Sequence, residues 1–129
     1  MRSGDPSNRE SLAARIYFPM LSPGYTRDSV CPLTSALNYG YAVVRSTLAR
    51  HVVSHGFITS VGLHHANGKN ELNLVDDLIE PFRPIVDLHV MGIELEGEGP
   101  SSLSRNARKQ ITGVLRRSYH APAWCNMYA

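Results

Sequence analysis

Residues 33–55 carry the strongest helical periodicity in the chain, and this pattern constrains the fold more than any other feature. Apolar side chains recur there at steps of three and four, which puts them on one face of an α-helix. These apolar positions are Leu37, Tyr41, Val44, Leu48 and Val52. Gly56 follows at the place where a left-handed residue typically ends a helix. The segment is therefore predicted to be a long helix with one buried face.

Four further segments have helical patterns that end at proline, glycine or polar turns. They cover residues 7–19, 71–80, 84–95 and 104–118. The apolar residues that define them are Leu12, Ile16 and Met20; Leu72, Val75, Leu78 and Ile79; Ile85, Val86, Leu88, Val90 and Met91; and Leu103, Ala107, Ile111, Val114 and Leu115. From Leu72 onward we expect these residues to face the core. Strand signals are weak throughout, so the predicted fold class is all-α.

The composition is that of a globular protein. The chain has 129 residues, of which 43% are hydrophobic and 19% are charged, so one domain with a buried core is expected. No apolar run approaches the ~18 residues of a membrane span, and the first residues lack the apolar stretch of a signal peptide. Cys31 and Cys125 are too few for a disulfide framework, which predicts a reducing cytoplasm.

Residues 62–84 hold the strongest candidate for a functional site. A histidine pair, His64 and His65, precedes a short helical segment that carries Asp76, Asp77 and Glu80. Carboxylates three or four residues apart on a helix repel one another, and a divalent cation would reverse that effect. One imidazole with two or three carboxylates is a ligand set for Mg²⁺ or Mn²⁺. Zinc is disfavoured because no further Cys or His lies at zinc-type spacing.

Simpler interpretations of the same residues stay open at this point. The carboxylates can serve only to compensate the helix dipole and to keep the surface soluble. A histidine pair in a loop can be a hydrogen-bonded connector rather than a ligand. Glu10, three residues after Ser7, fits the reciprocal position of a helix capping box.

The last third of the chain is basic, although the net charge is only +2. The cations of this region are Arg105, Arg108, Lys109, Arg116 and Arg117. A basic segment beside an acidic cluster fits a polyanion held near a metal site. It equally fits a solvated helix face.

Five motifs in a fixed order give the chain a specific resemblance. They are NRESLAARIYF at 8–18, YTRD at 25–28, ALNYGYAVVR at 36–45, GLHH at 62–65 and DDLIEPFRP at 76–84. Together they resemble the C-terminal helical domain of the CRISPR-associated endonuclease/integrase, the first of the Cas proteins, in its type II forms. The resemblance covers residues 6–118 and leaves 119–129 as a divergent tail. It implies that residues 1–129 form a single helical domain, the catalytic part of the family, with the family's N-terminal β-rich domain absent.

The resemblance implies a three-residue catalytic metal site. The family's ligands fall on Glu10, His65 and Glu80, and His65 is favoured over its neighbour because it is the fourth residue of the Gly-x-x-His motif. Asp77 is implied to be an auxiliary metal ligand or an acceptor that supports a ligand. Arg83 is implied to brace a carboxylate or to contact phosphate.

The resemblance also implies the activity and the partners. Members of the family join DNA 3′ ends to a CRISPR array by transesterification, and the reverse or hydrolytic reaction cuts DNA. The implied cofactor is Mg²⁺ or Mn²⁺, and the implied substrate is double-stranded or branched DNA. A homodimer and a dimer of the second Cas protein are the implied assembly partners, without a membrane. The residues implied to contact DNA are Arg83, Arg105, Arg108, Lys109 and Arg116.

The chain also departs from the family pattern. Ala66 stands where type II members tend to carry arginine, and the sequence after Tyr119 does not follow the family. Together with the absence of the β-rich domain, this predicts a truncated product. The second hypothesis for the function of the chain is therefore an inactive remnant that only binds DNA or packs against other Cas proteins. A small metallohydrolase unrelated to nucleic acid is the third hypothesis.

Overall fold

Five α-helices make up most of the regular structure in the described part of the chain. The computed structural model describes residues 9–26, 28–65, 67–93, 95, 98 and 102–120, with residues 9–11, 14 and 117–120 described by their backbone alone. The helices are α1 (Arg9–Leu21), α2 (Pro32–Ser54), α3 (Asn73–Ile79), α4 (Arg83–Met91) and α5 (Arg105–His120), and a 3₁₀ turn at Glu80–Phe82 joins α3 to α4. The described residues contain no strand, and the all-α prediction is confirmed.

The long central helix forms as predicted. Pro32 lies in the first turn of α2, where its missing N–H is not needed for the helix ladder. At the other end Gly56 has a φ of +79°, a left-handed conformation that glycine adopts without steric cost. α2 contacts α3, α4 and α5, so its apolar face is the centre of the core.

The core is built mainly from apolar residues of α3, α4 and α5 packed around α2, with Phe18 and Leu21 of α1 partly buried against it. Its buried members are Tyr25, Ala36, Leu37, Tyr41, Val44, Ile79, Val86, Val90, Leu103, Ala107, Ile111 and Leu115. Gly40 allows α2 and α4 to pack closely, because a Cβ there would lie 2.7 Å from Val86 Cγ1. The predicted face of α5 is confirmed by the burial of Leu103, Ala107, Ile111 and Leu115.

The first helix turns its aromatic side to the core. Pro19 lies inside α1 rather than at its end, and the helix continues to Leu21. Phe18 packs edge-on against Tyr25 at a ring-centroid distance of 5.9 Å, while Tyr17 reaches into the interior. The three apolar residues that define the sequence periodicity are left exposed: Leu12, Ile16 and Met20.

The inward faces of α3 and α4 were predicted only in part. Val75, Ile79, Val86 and Val90 are buried as expected. The predictions for four other residues are wrong, because they are exposed: Leu78, Ile85, Leu88 and Met91. The reason in α4 is that a carboxylate, Asp87, occupies the inward stripe beside Val86, so the helix is rotated away from Leu88. α4 also ends at Met91 and not near residue 95.

Pro81 redirects the chain without ending the helical path. It lies within the 3₁₀ turn, where a residue without an N–H is tolerated, and α4 starts immediately afterwards. None of the helices in the described part of the chain is long and apolar enough to cross a membrane.

Candidate functional site

Asp77 is the centre of the best-defined polar arrangement. Its carboxylate lies in the last turn of α3 and accepts hydrogen bonds from three consecutive backbone N–H groups of the preceding loop, those of Leu63, His64 and His65, at 2.5 to 3.1 Å. We call this arrangement the Asp77 cradle. The His64 N–H, followed by the His65 imidazole and the other two N–H groups, holds the pKa of Asp77 well below its ordinary value. Asp77 is therefore a fixed carboxylate at neutral pH.

The cradle also sets the orientation and tautomer of His65. The Nδ1 atom of His65 lies 2.7 Å from Oδ1 of Asp77. Because a carboxylate only accepts hydrogen bonds, the Nδ1 atom carries the proton and donates it. In the neutral ring the other nitrogen, Nε2, then has a lone pair, which is the form that ligates metals or accepts protons.

Gly62 is required by the same arrangement. A Cβ at residue 62 would lie 2.2 Å from the His65 carbonyl oxygen and 2.9 Å from both Asn73 Cβ and Asp77 Oδ2. Any larger residue would therefore push the His65 carbonyl away from α3. This gives a physical reason for the glycine three residues before the histidine.

Asn73 holds the remainder of the loop from one turn earlier in α3. Its side-chain N–H₂ group donates to the carbonyl oxygens of Ser60 and Asn67, both at 2.9 Å. Asn73 and Asp77 are four residues apart and thus share a face of α3. The loop is anchored on both sides of His65 by that one face.

Asp76 is neutralised by a cation from α2. The guanidinium of Arg45 donates to both carboxylate oxygens, with Nε–Oδ1 2.6 Å and Nη2–Oδ2 2.8 Å, and Asn70 donates at 2.7 Å. The Arg45 hydrogen bond is the main reason why the pKa of Asp76 is lowered. This bidentate pair ties α3 to the central helix.

Protein groups therefore supply the positive partner that the clustered carboxylates need. Asp76 has Arg45, Asp77 has the loop N–H groups, and Glu80 has Arg83, whose Nε lies 3.0 Å from Glu80 Oε1. Charge repulsion within the cluster is consequently relieved by protein groups.

Glu80 lies at the edge of a cavity between α1, α2 and α4. The cavity has a volume of about 310 Å³, and the side chains that line it include Ala13, Tyr17, Tyr41, Glu80, Arg83 and Asp87. The Arg83 guanidinium lies over the ring of Tyr41, 4.9 Å from its centroid. Glu80 is exposed, so its Oε2 is accessible to a ligand.

Asp87 is the buried residue that sequence reasoning missed. It is 1% exposed, and it accepts hydrogen bonds from the hydroxyl groups of Tyr17 and Tyr41. Burial, together with the bond to Asp87, raises the pKa of Tyr17, so its hydroxyl stays a donor at physiological pH. The sequence contains one sign of this role, because Asp87 stands alone as a carboxylate among the apolar residues of its helix.

The structure brings some of the predicted site residues together. His65 and Asp77 are in direct contact, and Glu80 follows Asp77 by three residues, at the start of the 3₁₀ turn directly after α3. Among the described residues, no three His, Cys, Asp or Glu side chains form a group that could hold a metal. The Glu10 side chain lies outside the described residues, and only its backbone position in α1 is given. Glu10 precedes Ala13 by three residues and Tyr17 by seven, and these spacings put all three on one face of α1.

The basic residues predicted to contact DNA lie on two helices. Arg83 opens α4 beside the cavity. The others lie on the exposed side of α5: Arg105, Arg108, Lys109 and Arg116. No acidic residue lies in the first turn of α5. The described structure assigns these side chains no contact with the cavity.

A larger groove lies away from these polar groups. It has a volume of about 770 Å³ and is lined almost entirely by apolar side chains at the C-terminal end of α2 and in the following loop, including Val52, Phe57, Ile58 and Leu63. Its lining contains no carboxylate. It offers a surface for apolar contact rather than for chemistry.

The family model and the related proteins that match this chain all point to the same family. The family model described as CRISPR associated protein Cas1 matches residues 26–98. The CRISPR-associated endonuclease Cas1 of Neisseria meningitidis serogroup C (strain 8013) is 38% identical over 116 residues, which cover 89% of this chain and 38% of that protein. The CRISPR-associated endonuclease Cas1 1 of Pyrobaculum aerophilum is 40% identical over 117 residues, covering 87% of this chain and 35% of that protein. The chain thus spans little more than a third of the length of these relatives.

Proposed function

This chain belongs to the CRISPR-associated Cas1 family, and from that membership we propose that it carries the metal-dependent centre of a DNA endonuclease and integrase. The proposed reaction joins spacer DNA 3′ ends to a CRISPR repeat array by transesterification, with hydrolytic cutting of branched DNA as the simpler reaction of the same site. The proposed setting is the cytoplasm, in an assembly of Cas1 dimers with a dimer of the second Cas protein.

The observation that carries the proposal is the orientation of His65. Its Nδ1 atom is held by a carboxylate, which leaves Nε2 in the form that binds a metal. A carboxylate–histidine pair of this kind recurs in metal sites, because the second group fixes the ring and raises its basicity. Both oxygens of Asp77 already accept two hydrogen bonds each, which favours a supporting role for Asp77 over direct ligation.

The donor set fits Mg²⁺ or Mn²⁺. Glu10, His65 and Glu80 would be the ligands, with one imidazole and two carboxylates suited to a hard divalent cation that keeps sites for water and phosphate. When bound, such an ion would supply Lewis-acid polarisation of the phosphodiester.

The remaining residues have roles in holding the reactants. Asp77 fixes His65, and Arg83 restrains Glu80 through the bond between its Nε and Glu80 Oε1. DNA is held through its phosphates, which gives binding that depends on salt and little on sequence. The cations proposed for this are Arg83, Arg105, Arg108, Lys109 and Arg116.

The test is cutting of a branched DNA by the purified chain with Mn²⁺. We expect cutting that is lost in Glu10→Ala, His65→Ala and Glu80→Ala. His64→Ala is the matched control, because it removes the neighbouring imidazole but leaves the backbone N–H that Asp77 uses. Equal loss in His64→Ala and His65→Ala would contradict the assigned ligand.

A second function is supported by the exposed basic side of α5. In this alternative the chain holds DNA without cutting it. The assay separates the two hypotheses, since a DNA complex that weakens with salt but yields no Mn²⁺-dependent product would favour binding alone.

A further inference from the structure

Asp87 is a buried carboxylate to which the proposed chemistry gives no role. It comes from α4, and its two oxygens serve two other helices. Oδ2 accepts the hydroxyl of Tyr17 in α1, and Oδ1 accepts the hydroxyl of Tyr41 in α2. An ionisable group is costly to bury, so its presence at a site where three helices meet calls for a specific role.

The bond to Tyr17 links Asp87 to the helix that carries Glu10. The side of α1 that carries Leu12, Ile16 and Met20 is exposed. α1 therefore meets the interior through its aromatic residues, with Phe18 packed on the core and Tyr17 bonded to Asp87. Glu10 is two turns before Tyr17 on the same face of this helix. A shift or rotation of α1 about Tyr17 would therefore displace residue 10 relative to α4.

The bond to Tyr41 connects Asp87 with Glu80. The Tyr41 ring lies under the Arg83 guanidinium at 4.9 Å, and Arg83 Nε lies 3.0 Å from Glu80 Oε1. Asp87, Tyr41, Arg83 and Glu80 thus form a continuous chain of contacts. Asp87 is therefore linked to both carboxylates that are proposed as ligands. Tyr17 links it to the helix that carries Glu10, and Tyr41 links it to Glu80.

We propose that Asp87 is a positioning residue that fixes α1 against α4 and thereby sets the distance between Glu10 and Glu80. This inference rests on the proposed function. A carboxylate suits the role better than an amide, because it offers each hydroxyl its own acceptor oxygen, whereas one of the two positions in asparagine is an N–H₂ group that cannot accept a hydrogen bond.

The decisive variant is Tyr17→Phe, which removes one hydroxyl and leaves the ring. Tyr39→Phe is the matched control, because it removes a tyrosine hydroxyl that faces Thr112 on α5 at 3.4 Å and, among the side chains that the structure describes, has no bond to α1. Mn²⁺ affinity is measured by electron paramagnetic resonance of the free ion, without DNA. We expect Tyr17→Phe to weaken Mn²⁺ binding about tenfold, the lower end of the range typical for groups that support a metal ligand, and Tyr39→Phe to leave it unchanged.

A double-mutant cycle with Glu10→Ala separates positioning from general stability. If Asp87 acts through Glu10, then Tyr17→Phe has no further effect on Mn²⁺ affinity once Glu10 is removed. Additive effects of the two substitutions would overturn the proposal. Equal losses in Tyr17→Phe and Tyr39→Phe would overturn it as well.

Hydrogen exchange of the α1 backbone gives a readout that does not need the metal. We expect faster exchange of α1 in Tyr17→Phe than in Tyr39→Phe, with unchanged exchange in α5. If the unaltered chain binds no Mn²⁺, the proposed function fails, and the exchange data still decide whether Asp87 fixes α1. Unchanged exchange of α1 in Tyr17→Phe would refute that role.

Discussion

Replacement of Gly62 by alanine tests the Asp77 cradle most directly. The added Cβ would lie 2.2 Å from the carbonyl oxygen of His65, well inside the 3.4 Å at which ordinary contacts begin. The oxygen belongs to the backbone and cannot rotate away as a flexible side chain would. The His65 segment must therefore move by about 1 Å to remove the clash.

A movement of that size breaks the cradle. The hydrogen bond from the His65 N–H to Asp77 is already 3.1 Å long, so an added ångström takes it beyond hydrogen-bonding distance. Overpacking of this kind typically lowers the free energy of unfolding by about 1–3 kcal/mol. Gly68→Ala is the matched control, because it lies in the same loop with open space around it and does not have a left-handed backbone. We expect Gly68→Ala to change stability by less than about 0.5 kcal/mol.

Two measurements check this expectation. Urea denaturation of both variants gives the free energy of unfolding, and a carboxyl NMR titration follows the pKa of Asp77. In Gly62→Ala the pKa should return toward the ordinary value, because the N–H donors that lower it have moved away. The reasoning is refuted if Gly62→Ala is as stable as Gly68→Ala and Asp77 keeps its low pKa.

Three further predictions concern the helices around this site. A double-mutant cycle of Arg45→Met and Asp76→Asn, measured by urea denaturation, should give a coupling free energy of about 1 kcal/mol. Solvent screening limits this value because the Arg45 side chain is 39% exposed, and the coupling should shrink in high salt. The pKa values of Asp76 and Asp77 are lowered in the folded state. Their ionisation therefore stabilises the fold above the unfolded pKa of about 3.9, and this stabilisation is lost as the pH falls below it. Unfolding measured from pH 5 to pH 2 should consequently show a shallower loss of stability in Asp77→Asn than in the unaltered chain. Gly40→Ala should destabilise the fold by about 1 kcal/mol net, because its methyl group would lie 2.7 Å from Val86. Gly113→Ala, in open space on α5, should instead stabilise the fold by up to about 1 kcal/mol through its higher helix propensity. Shifts of the same sign in the thermal unfolding of the two variants would contradict this reasoning.

The sequence predicts the helices whose apolar faces are uniform. In α2 and α5 every inward position is apolar or small, so periodicity alone indicates which side is buried. The same reasoning fails for α4, because the side of the helix that faces the core includes a carboxylate. Burial of Asp87 depends on hydroxyl groups 70 and 46 residues away along the chain, and local spacing carries no information about them.

The candidate site also contains contacts that could be anticipated and contacts that only the structure reveals. The family resemblance implied that Asp77 either ligates the metal or supports a ligand, and the structure shows that Asp77 contacts His65. The pairing of Asp76 with Arg45 spans 31 residues and could not be read from either segment. Whether Glu10 joins His65 and Glu80 stays a prediction, because its side chain lies outside the described residues.

The Asp77 cradle recognises main chain rather than side chains, and this has a consequence for tolerance to mutation. Leu63 and His64 contribute only their backbone N–H groups to it, and their side chains are exposed. A library randomised at these two positions should therefore retain folded members with chemically diverse residues, proline excepted because it has no N–H to donate. Randomisation of Gly62 or Asp77 should instead return almost only the parental residue.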